Sequence, residues 1–201
     1  MLRNMISFFA YGLIVLGLVS LARASAMPIK AAYGQYRLDA VWQETLETGN
    51  HIKPWSSADF HLIGKLTIKR LGVSRIILSS ASGEAMAWGV GRVIPIKNAS
   101  TGSPTILAGH RDTHMQFMSE LQMGDSLELQ LSDGSTKSYK ITVSQISKTP
   151  ELTLQDQLGD YNKLILTTCW PFNAIQSGPE RFIIIGEQVN EKVAEADKIL
   201  Q

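Results

Sequence analysis

Cysteine is nearly missing from this chain, since Cys169 stands alone among 201 residues. A single thiol excludes an internal disulfide framework and any zinc or iron–sulfur site built from several cysteines. An excess of one charge is missing too, because 19 lysines and arginines balance 18 aspartates and glutamates, a net charge of +1. Nucleic-acid binders usually carry a basic face, so no nucleic-acid partner is expected.

Charged residues of either sign are scarce at 18%, whereas apolar residues make up 44% of the chain. This balance excludes an intrinsically disordered chain and a fibrous one. A chain of 201 residues has room for one globular domain of about 100–150 residues and for additional segments.

The N-terminal segment is apolar and carries no charge over the 19 residues from Asn4 to Ala22. As a helix it would rise about 28 Å, close to the ~30 Å hydrocarbon core of a bilayer. A signal peptide usually has a shorter apolar part of about 7–15 residues, although Ala24-Ser25-Ala26 resembles a cleavage site. Residues 1–26 are therefore predicted to be a membrane anchor or a signal segment, and the anchor is favoured. We expect a single-pass protein of the cytoplasmic membrane whose folded domain faces the periplasm or the exterior.

The rest of the chain divides into three predicted parts. Residues 27–52 are predicted to contain a linking helix that ends at Gly49-Asn50. Its apolar positions recur at helical spacing: Leu38, Val41, Trp42 and Leu46. Residues 53–190 are predicted to form the folded domain, and residues 191–201 a polar tail.

Alternation of apolar and polar residues predicts a mainly β domain. Strands are predicted at residues 65–69, 75–79, 105–107, 126–131, 139–143, 163–168 and 182–185. The last two are continuous apolar runs, which predicts burial on both faces. Asp133-Gly134 predicts a hairpin turn, and short helices are predicted at 115–121 and 152–158. About eight short strands at this spacing indicate a closed, mostly antiparallel β-barrel.

Cys169 ends the predicted strand 163–168, because Pro171 has no N–H to continue a ladder. Arg181 opens the next strand twelve residues later. If the two strands form an antiparallel hairpin, the end of one lies beside the start of the other, so the thiol and the guanidinium become neighbours. An arginine at that position activates a thiol or holds a developing oxyanion. The alternative is a small buried cysteine beside a surface arginine.

His110 follows the predicted strand 105–107 and Gly109. Histidine has a reference pKa of ~6.5, so it donates and accepts protons near neutrality, although a histidine after glycine is also a common turn residue. His114 would suit a metal pair, but no third ligand type accompanies it in the sequence, and no acidic cluster suits calcium. No metal and no cofactor are expected.

Taken together, these residues resemble the sortases, which are cysteine transpeptidases of bacterial surfaces. The family has a strand ending in Thr-Leu-x-Thr-Cys, an arginine at the start of the next strand and an upstream histidine after glycine. Leu166-Thr167-Thr168-Cys169 fits four of these five positions, and Ile165 stands where threonine is usual. Further segments resemble the Gram-negative class, which is related to class D: Lys53-Pro54-Trp55, Ser80-Ala81-Ser82-Gly83, Gly109-His110-Arg111-Asp112-Thr113-His114 and Cys169-Trp170-Pro171-Phe172. The resemblance covers about residues 53–188.

The resemblance implies a closed eight-stranded barrel with three catalytic residues at one end. Cys169 is then the nucleophile, His110 the general acid/base and Arg181 the group that binds the scissile carbonyl. The implied substrate is a protein with a Leu-Pro-x-Thr-Gly-type C-terminal sorting signal. It is cleaved between Thr and Gly through a thioester, which an amine acceptor of unknown identity then resolves.

Three further residues are candidates for substrate contact. Thr168 is expected to help bind the peptide. In the loop after the nucleophile, Phe172 and Ile175 contact the apolar leucine of the signal or pack within the loop itself. Asp112 is expected to orient His110 or Arg111, or to cap a helix around Met115.

Two other functions remain open from the sequence. A cysteine hydrolase would use the same site and resolve the thioester with water. A non-catalytic exported binding module would bury Cys169 and leave it unreactive. An L,D-transpeptidase is excluded because the segment around Cys169 lacks that family's adjacent histidine.

Overall fold

The secondary structure is given by a computed structural model that describes residues 2–93, 104–149, 162–176 and 178–189. The chain divides into two units, residues 1–37 and 38–201. In chain order the elements are α1 Leu2–Thr48, β1 Leu62–Ile68, β2 Val73–Leu78, α2 Gly83–Trp88, β3 Val90–Val93, β4 Thr105–Ala108, β5 Ser126–Leu131, β6 Thr136–Ser147, β7 Lys163–Cys169 and β8 Arg181–Gln188. Two short 3₁₀ turns lie at Lys69–Leu71 and Gln116–Glu120.

Helix α1 is continuous, so one helix covers both the predicted anchor segment and the predicted linking helix. In the first unit, residues 11–21 are all exposed. Within the described residues, no helix combines the length and the apolarity that crossing a membrane requires. The helix ends at Thr48, as predicted, and the amide of Gly49 donates to the carbonyl of Thr45 at 2.8 Å.

The strands of the second unit close into a barrel in the order β1-β2-β3-β4-β7-β8-β6-β5. Two neighbouring pairs are parallel, β2 with β3 and β4 with β7, and the other six are antiparallel. The predicted closed, mostly antiparallel barrel is therefore confirmed. The predicted hairpin is also confirmed, since Gly134 adopts a left-handed φ of 82° between β5 and β6.

Some elements differ from the prediction. The sequence pattern missed two short elements, the four-residue strand β3 and the six-residue helix α2. Helix α2 begins at Ser82, whose hydroxyl accepts a hydrogen bond from the amide of Ala85 at 3.0 Å. The helix predicted at 115–121 is a 3₁₀ turn, and the one predicted at 152–158 lies outside the described residues.

Apolar side chains form three buried clusters in the second unit. The largest fills the barrel and includes Leu66, Leu107, Leu127, Leu166 and Ile184. A second cluster packs the end of α1 against the start of β1 and the end of β2: Leu38, Val41, Trp42, Phe60, Leu62 and Leu78. Trp42 is fully buried there, and burial of a large apolar side chain stabilises a fold by about 1.5–3 kcal/mol. The end of α1 is therefore part of the folded domain.

An ion pair joins the end of β1 to the start of β5. Arg70 donates from Nε and Nη2 to the two carboxylate oxygens of Asp125, at 2.6 and 2.7 Å, and from Nη2 to the carbonyl of Glu120 at 2.6 Å. The hydrogen bond from Arg70 is the main cause that lowers the pKa of the Asp125 carboxyl. This pair lies across the barrel from β4 and β7.

Candidate active site

The hairpin of β7 and β8 brings the thiol and the guanidinium together. Cys169 is the last residue of β7, Arg181 is the first of β8, and the antiparallel register pairs them directly. The amide of Trp170 continues the ladder by donating to the carbonyl of Glu180 at 3.0 Å. Paired residues of antiparallel strands point to the same face, with Cβ atoms about 4.5–5.5 Å apart. The prediction that Cys169 and Arg181 are neighbours is confirmed.

The parallel pair of β4 and β7 brings His110 to the same edge. The register ends with Ala108 opposite Thr167, and His110 and Cys169 each follow two residues later at the same end of the two strands. The Thr168 hydroxyl fastens the two chains at this point by donating to the carbonyl of Gly109 at 2.8 Å. Cys169 therefore ends the middle strand of three, with His110 on one neighbouring chain and Arg181 on the other.

The face of β7 that carries Cys169 is covered in the middle of the strand, at Ile165, whereas Lys163 and Thr167 on the same face are partly exposed. Alternation puts Ile165 on this outer face, where it packs with Ile106, Ile183 and Ile185. All four side chains are buried, so the predicted burial on both faces is confirmed for the middle of β7 and β8, while Lys163, Thr167 and Phe182 are partly exposed. At the end of the face, Cys169 is a free thiol that is partly exposed. It thus differs from the buried, inert type of cysteine.

Arg181 is held by the backbone just ahead of β8. Its Nη1 donates to the carbonyls of Gly178 and Glu180, at 3.0 and 2.9 Å. Within the described part of the chain, Nε and Nη2 have no acceptor. The guanidinium carries five N–H donors in a fixed plane, so it can be held and still donate to a substrate oxygen.

The turn that carries His110 is tightly packed. Gly109 does not adopt a left-handed φ; instead it supplies space, because a Cβ there would lie 3.0 Å from Cγ of Met115. The carbonyl of His110 accepts from the amides of Thr113 and Met115, at 3.4 and 3.0 Å. These contacts fix the backbone of His110 while its side chain stays exposed.

His114 contacts helix α2. Its Nε2 lies 3.4 Å from the carbonyl of Ala87, and its own carbonyl accepts from Nε of Arg75 at 3.2 Å. Burial is the main cause that lowers the pKa of His114, and the charges of Arg75 and His110 lower it further. His114 therefore helps to hold the turn.

Asp112 binds Arg111, one of the three roles expected for it. Its carboxylate accepts from Nε and Nη2 of Arg111, at 2.6 and 3.0 Å. These hydrogen bonds are the main cause that lowers the pKa of Asp112 and raises that of Arg111. Arg111 itself is only 5% exposed, and the sequence did not single it out for a role of its own.

The three candidates for substrate contact occupy different environments. Thr168 is buried and its hydroxyl bonds to Gly109. Phe172 packs against the barrel core and against two other aromatic rings, with centroids 5.6 Å from Trp170 and 5.4 Å from Phe182. Ile175 is fully exposed. Contact with a substrate stays a prediction for all three.

A cavity of about 590 Å³ lies at the end of the barrel opposite to Cys169. It opens where β1 begins and where β2, β3 and β5 end, so it is separated from Cys169 by the length of β7. Seven strand residues span about 20 Å. Its lining includes His51, Asp59, His61, Arg92 and Asp133.

Comparison with known proteins shows the family of the chain. A family model described as the sortase domain matches residues 66–189. The chain belongs to the sortase family. Members of this family are cysteine transpeptidases, and the matched region contains all three residues.

Two sortases that are named sortase D or SrtD are similar to this chain in sequence. Sortase D of Bacillus subtilis (strain 168) is 31% identical over 126 residues, which cover 63% of this chain and 63% of that relative. The match thus spans less than two thirds of the relative's length. The catalytic domain of B. anthracis SrtD is 29% identical with a TM-score of 0.52, covering 64% of this chain and 88% of that one.

A third sortase shares the fold alone. Sortase A from Corynebacterium diphtheriae has a TM-score of 0.54 at 17% identity, covering 80% of this chain and 90% of that one. Membership of the Gram-negative class stays a prediction.

Proposed function

We propose that this sortase is a transpeptidase that cleaves a Leu-Pro-x-Thr-Gly-type signal between Thr and Gly and joins the acyl part to an amine. The observation that carries the proposal is the position of Cys169 at the end of β7, with His110 and Arg181 on the two neighbouring chains. This arrangement supplies a nucleophile, a proton carrier and an oxyanion partner at one edge of the barrel.

The first half of the reaction forms a thioester. Cys169 gives its proton to His110, and the thiolate attacks the carbonyl carbon of the substrate threonine. Arg181 binds the oxygen as it gains negative charge. The C–N bond to glycine then breaks, and His110 passes its proton to the leaving amine.

The second half returns the enzyme to its starting state. The acceptor amine attacks the thioester carbon, and His110 takes a proton from it. A new amide bond forms as the C–S bond breaks. Cys169 leaves as a thiolate and recovers its proton from His110, so each turnover exchanges one amine for another.

Mass spectrometry of the enzyme and the products tests this function. The full chain, purified in detergent, is incubated with a Leu-Pro-x-Thr-Gly peptide, with and without a glycine-based amine. We expect a threonine-linked adduct on Cys169 and an amine-linked product. Cleavage that yields only the free threonine acid in the presence of several amines would favour the hydrolase. Absence of any adduct, with Cys169 also inert to iodoacetamide, would favour the binding module.

We further propose that the segment from Asn4 to Ala22 anchors the protein in the cytoplasmic membrane, with the barrel on the outer side, in an organism with a Gram-negative envelope. The support is its 19 uncharged residues and the exposed apolar side chains of residues 11–21. The expressed chain is expected to stay with membranes after extraction with alkaline carbonate. Release into the supernatant would contradict the anchor.

A further inference from the structure

Arg111 joins two segments that are far apart in the chain. From the turn that carries His110, its Nη1 donates to the carbonyl of Pro171 at 2.6 Å and its Nη2 to the carbonyl of Ala174 at 2.7 Å. Both acceptors belong to the loop that follows Cys169. One buried side chain thus connects the segment of the acid/base residue to the segment of the nucleophile.

Asp112 fixes the orientation of this guanidinium. Its carboxylate oxygens accept hydrogen bonds from Nε and from one N–H of Nη2, on the side of the guanidinium away from the loop. The remaining donors of Nη1 and Nη2 therefore point to Pro171 and Ala174. Only a planar fork with five N–H groups makes all four bonds at once, because a lysine ammonium is a compact point charge with three donors.

The part of the loop between the two acceptors has a constrained backbone. Asn173 lies there with a φ of 68°, in the left-handed region that asparagine adopts more readily than most residues with a Cβ. Such a conformation persists when its surroundings hold it, and the two bonds from Arg111 hold both ends of the turn. Phe172 lies between those ends, and Ile175 directly follows Ala174. The loop therefore carries both Phe172 and Ile175, which are predicted to contact the substrate.

We propose that Arg111 is a positioning residue that holds the loop 170–176 in register with His110. This inference rests on the proposed function, since it concerns the alignment of Cys169 and the bound signal with His110. Misplacement of reacting groups by about 1 Å costs up to ~10²-fold in rate. Loss of the fork is therefore expected to lower kcat/KM for the sorting peptide by about 10–100-fold.

Arg111→Lys tests the proposal because it keeps the charge and removes the fork. Arg70→Lys is the matched control: Arg70 also binds a carboxylate with two nitrogens and donates to a backbone carbonyl, but it lies across the barrel. Three quantities are measured on the full chain in detergent. They are kcat/KM for the peptide, the alkylation rate of Cys169 by iodoacetamide, and hydrogen exchange of the amides of residues 170–176.

The expected result separates the two variants. Arg111→Lys loses kcat/KM by about 10–100-fold and exchanges faster across residues 170–176, while its alkylation rate changes by less than about 3-fold because lysine keeps the positive charge at position 111. Arg70→Lys keeps kcat/KM within about 3-fold and leaves exchange of this loop unchanged.

Three results would overturn the proposal. They are unchanged exchange of the loop in Arg111→Lys, an equal loss of kcat/KM in Arg70→Lys, and an alkylation rate that falls in parallel with kcat/KM. The last would mean that Arg111 acts on the thiol itself. Hydrogen exchange and alkylation are measured without a sorting peptide. If the wild-type chain transferred no peptide, that result would count against the proposed function, and hydrogen exchange would still test whether Arg111 holds the loop.

Discussion

Replacing Cys169 with alanine is expected to abolish transfer, lowering the rate at least ~10⁴-fold. The chain has no second cysteine to replace the thiol, and His110 and Arg181 alone supply no group that forms a thioester. The thiol is partly exposed at the end of β7, so its loss removes few packing contacts. The variant is expected to stay folded.

Two measurements check this expectation. Intact-protein mass spectrometry of Cys169→Ala should show no acyl adduct at any time, and the dissociation constant for the sorting peptide should stay within about 3-fold of wild type, because binding residues are untouched. Cys169→Ser keeps the shape of the side chain but replaces the thiol with a hydroxyl, which is a weaker acid. Amine-dependent transfer by the alanine variant at more than about 1% of the wild-type rate would show that the thiol is not the nucleophile.

Replacing His110 with alanine should reveal its role through the leaving group. With an amide substrate the departing amine needs a proton, so the variant is expected to lose about 10²–10⁴-fold in the rate of thioester formation. An activated aryl ester of the same threonine releases a phenolate that leaves without a proton. With this ester, His110→Ala is expected to lower the rate of thioester formation by less than about 10-fold, since only activation of the thiol is lost.

Arg181→Ala is the matched control for that experiment. In the proposed mechanism Arg181 binds the carbonyl oxygen, which both substrates share, so its loss should cost about 10²–10³-fold on amide and ester alike. Single-turnover kinetics of adduct formation give both rates. An equal loss on both substrates for His110→Ala would contradict a role in protonating the leaving amine.

Local chain features explain which parts of the site were predictable. Cys169 and Arg181 are twelve residues apart on consecutive strands, and Pro171 marks the end of the first, so a hairpin rule alone places them together. His110 has no such local link. Its position depends on the parallel pairing of β4 with β7, and only the resemblance to sortases connected it to Cys169.

The missed features depend on contacts between distant segments. Arg111 looks like an ordinary charge beside Asp112, and nothing near it in the chain reveals acceptors 60 and 63 positions away. Gly109 matters for the close approach of Met115, which its place before His110 in the sequence does not reveal. Such packing contacts have no periodic pattern in the sequence.

The two halves of the site also differ in the entropy of assembling them. Cys169 meets Arg181 by closing a loop of about twelve residues, whereas Thr168 meets Gly109 across 59 positions. Loop closure scales as 1.5 RT ln n, so the longer loop costs about 1.4 kcal/mol more. A hairpin brings Cys169 and Arg181 together through local contacts, but His110 joins them only with long-range parallel pairing, the slower kind of event in folding. A chain that formed only the hairpin would therefore hold Cys169 without His110, and the proposed catalysis requires closure of the barrel.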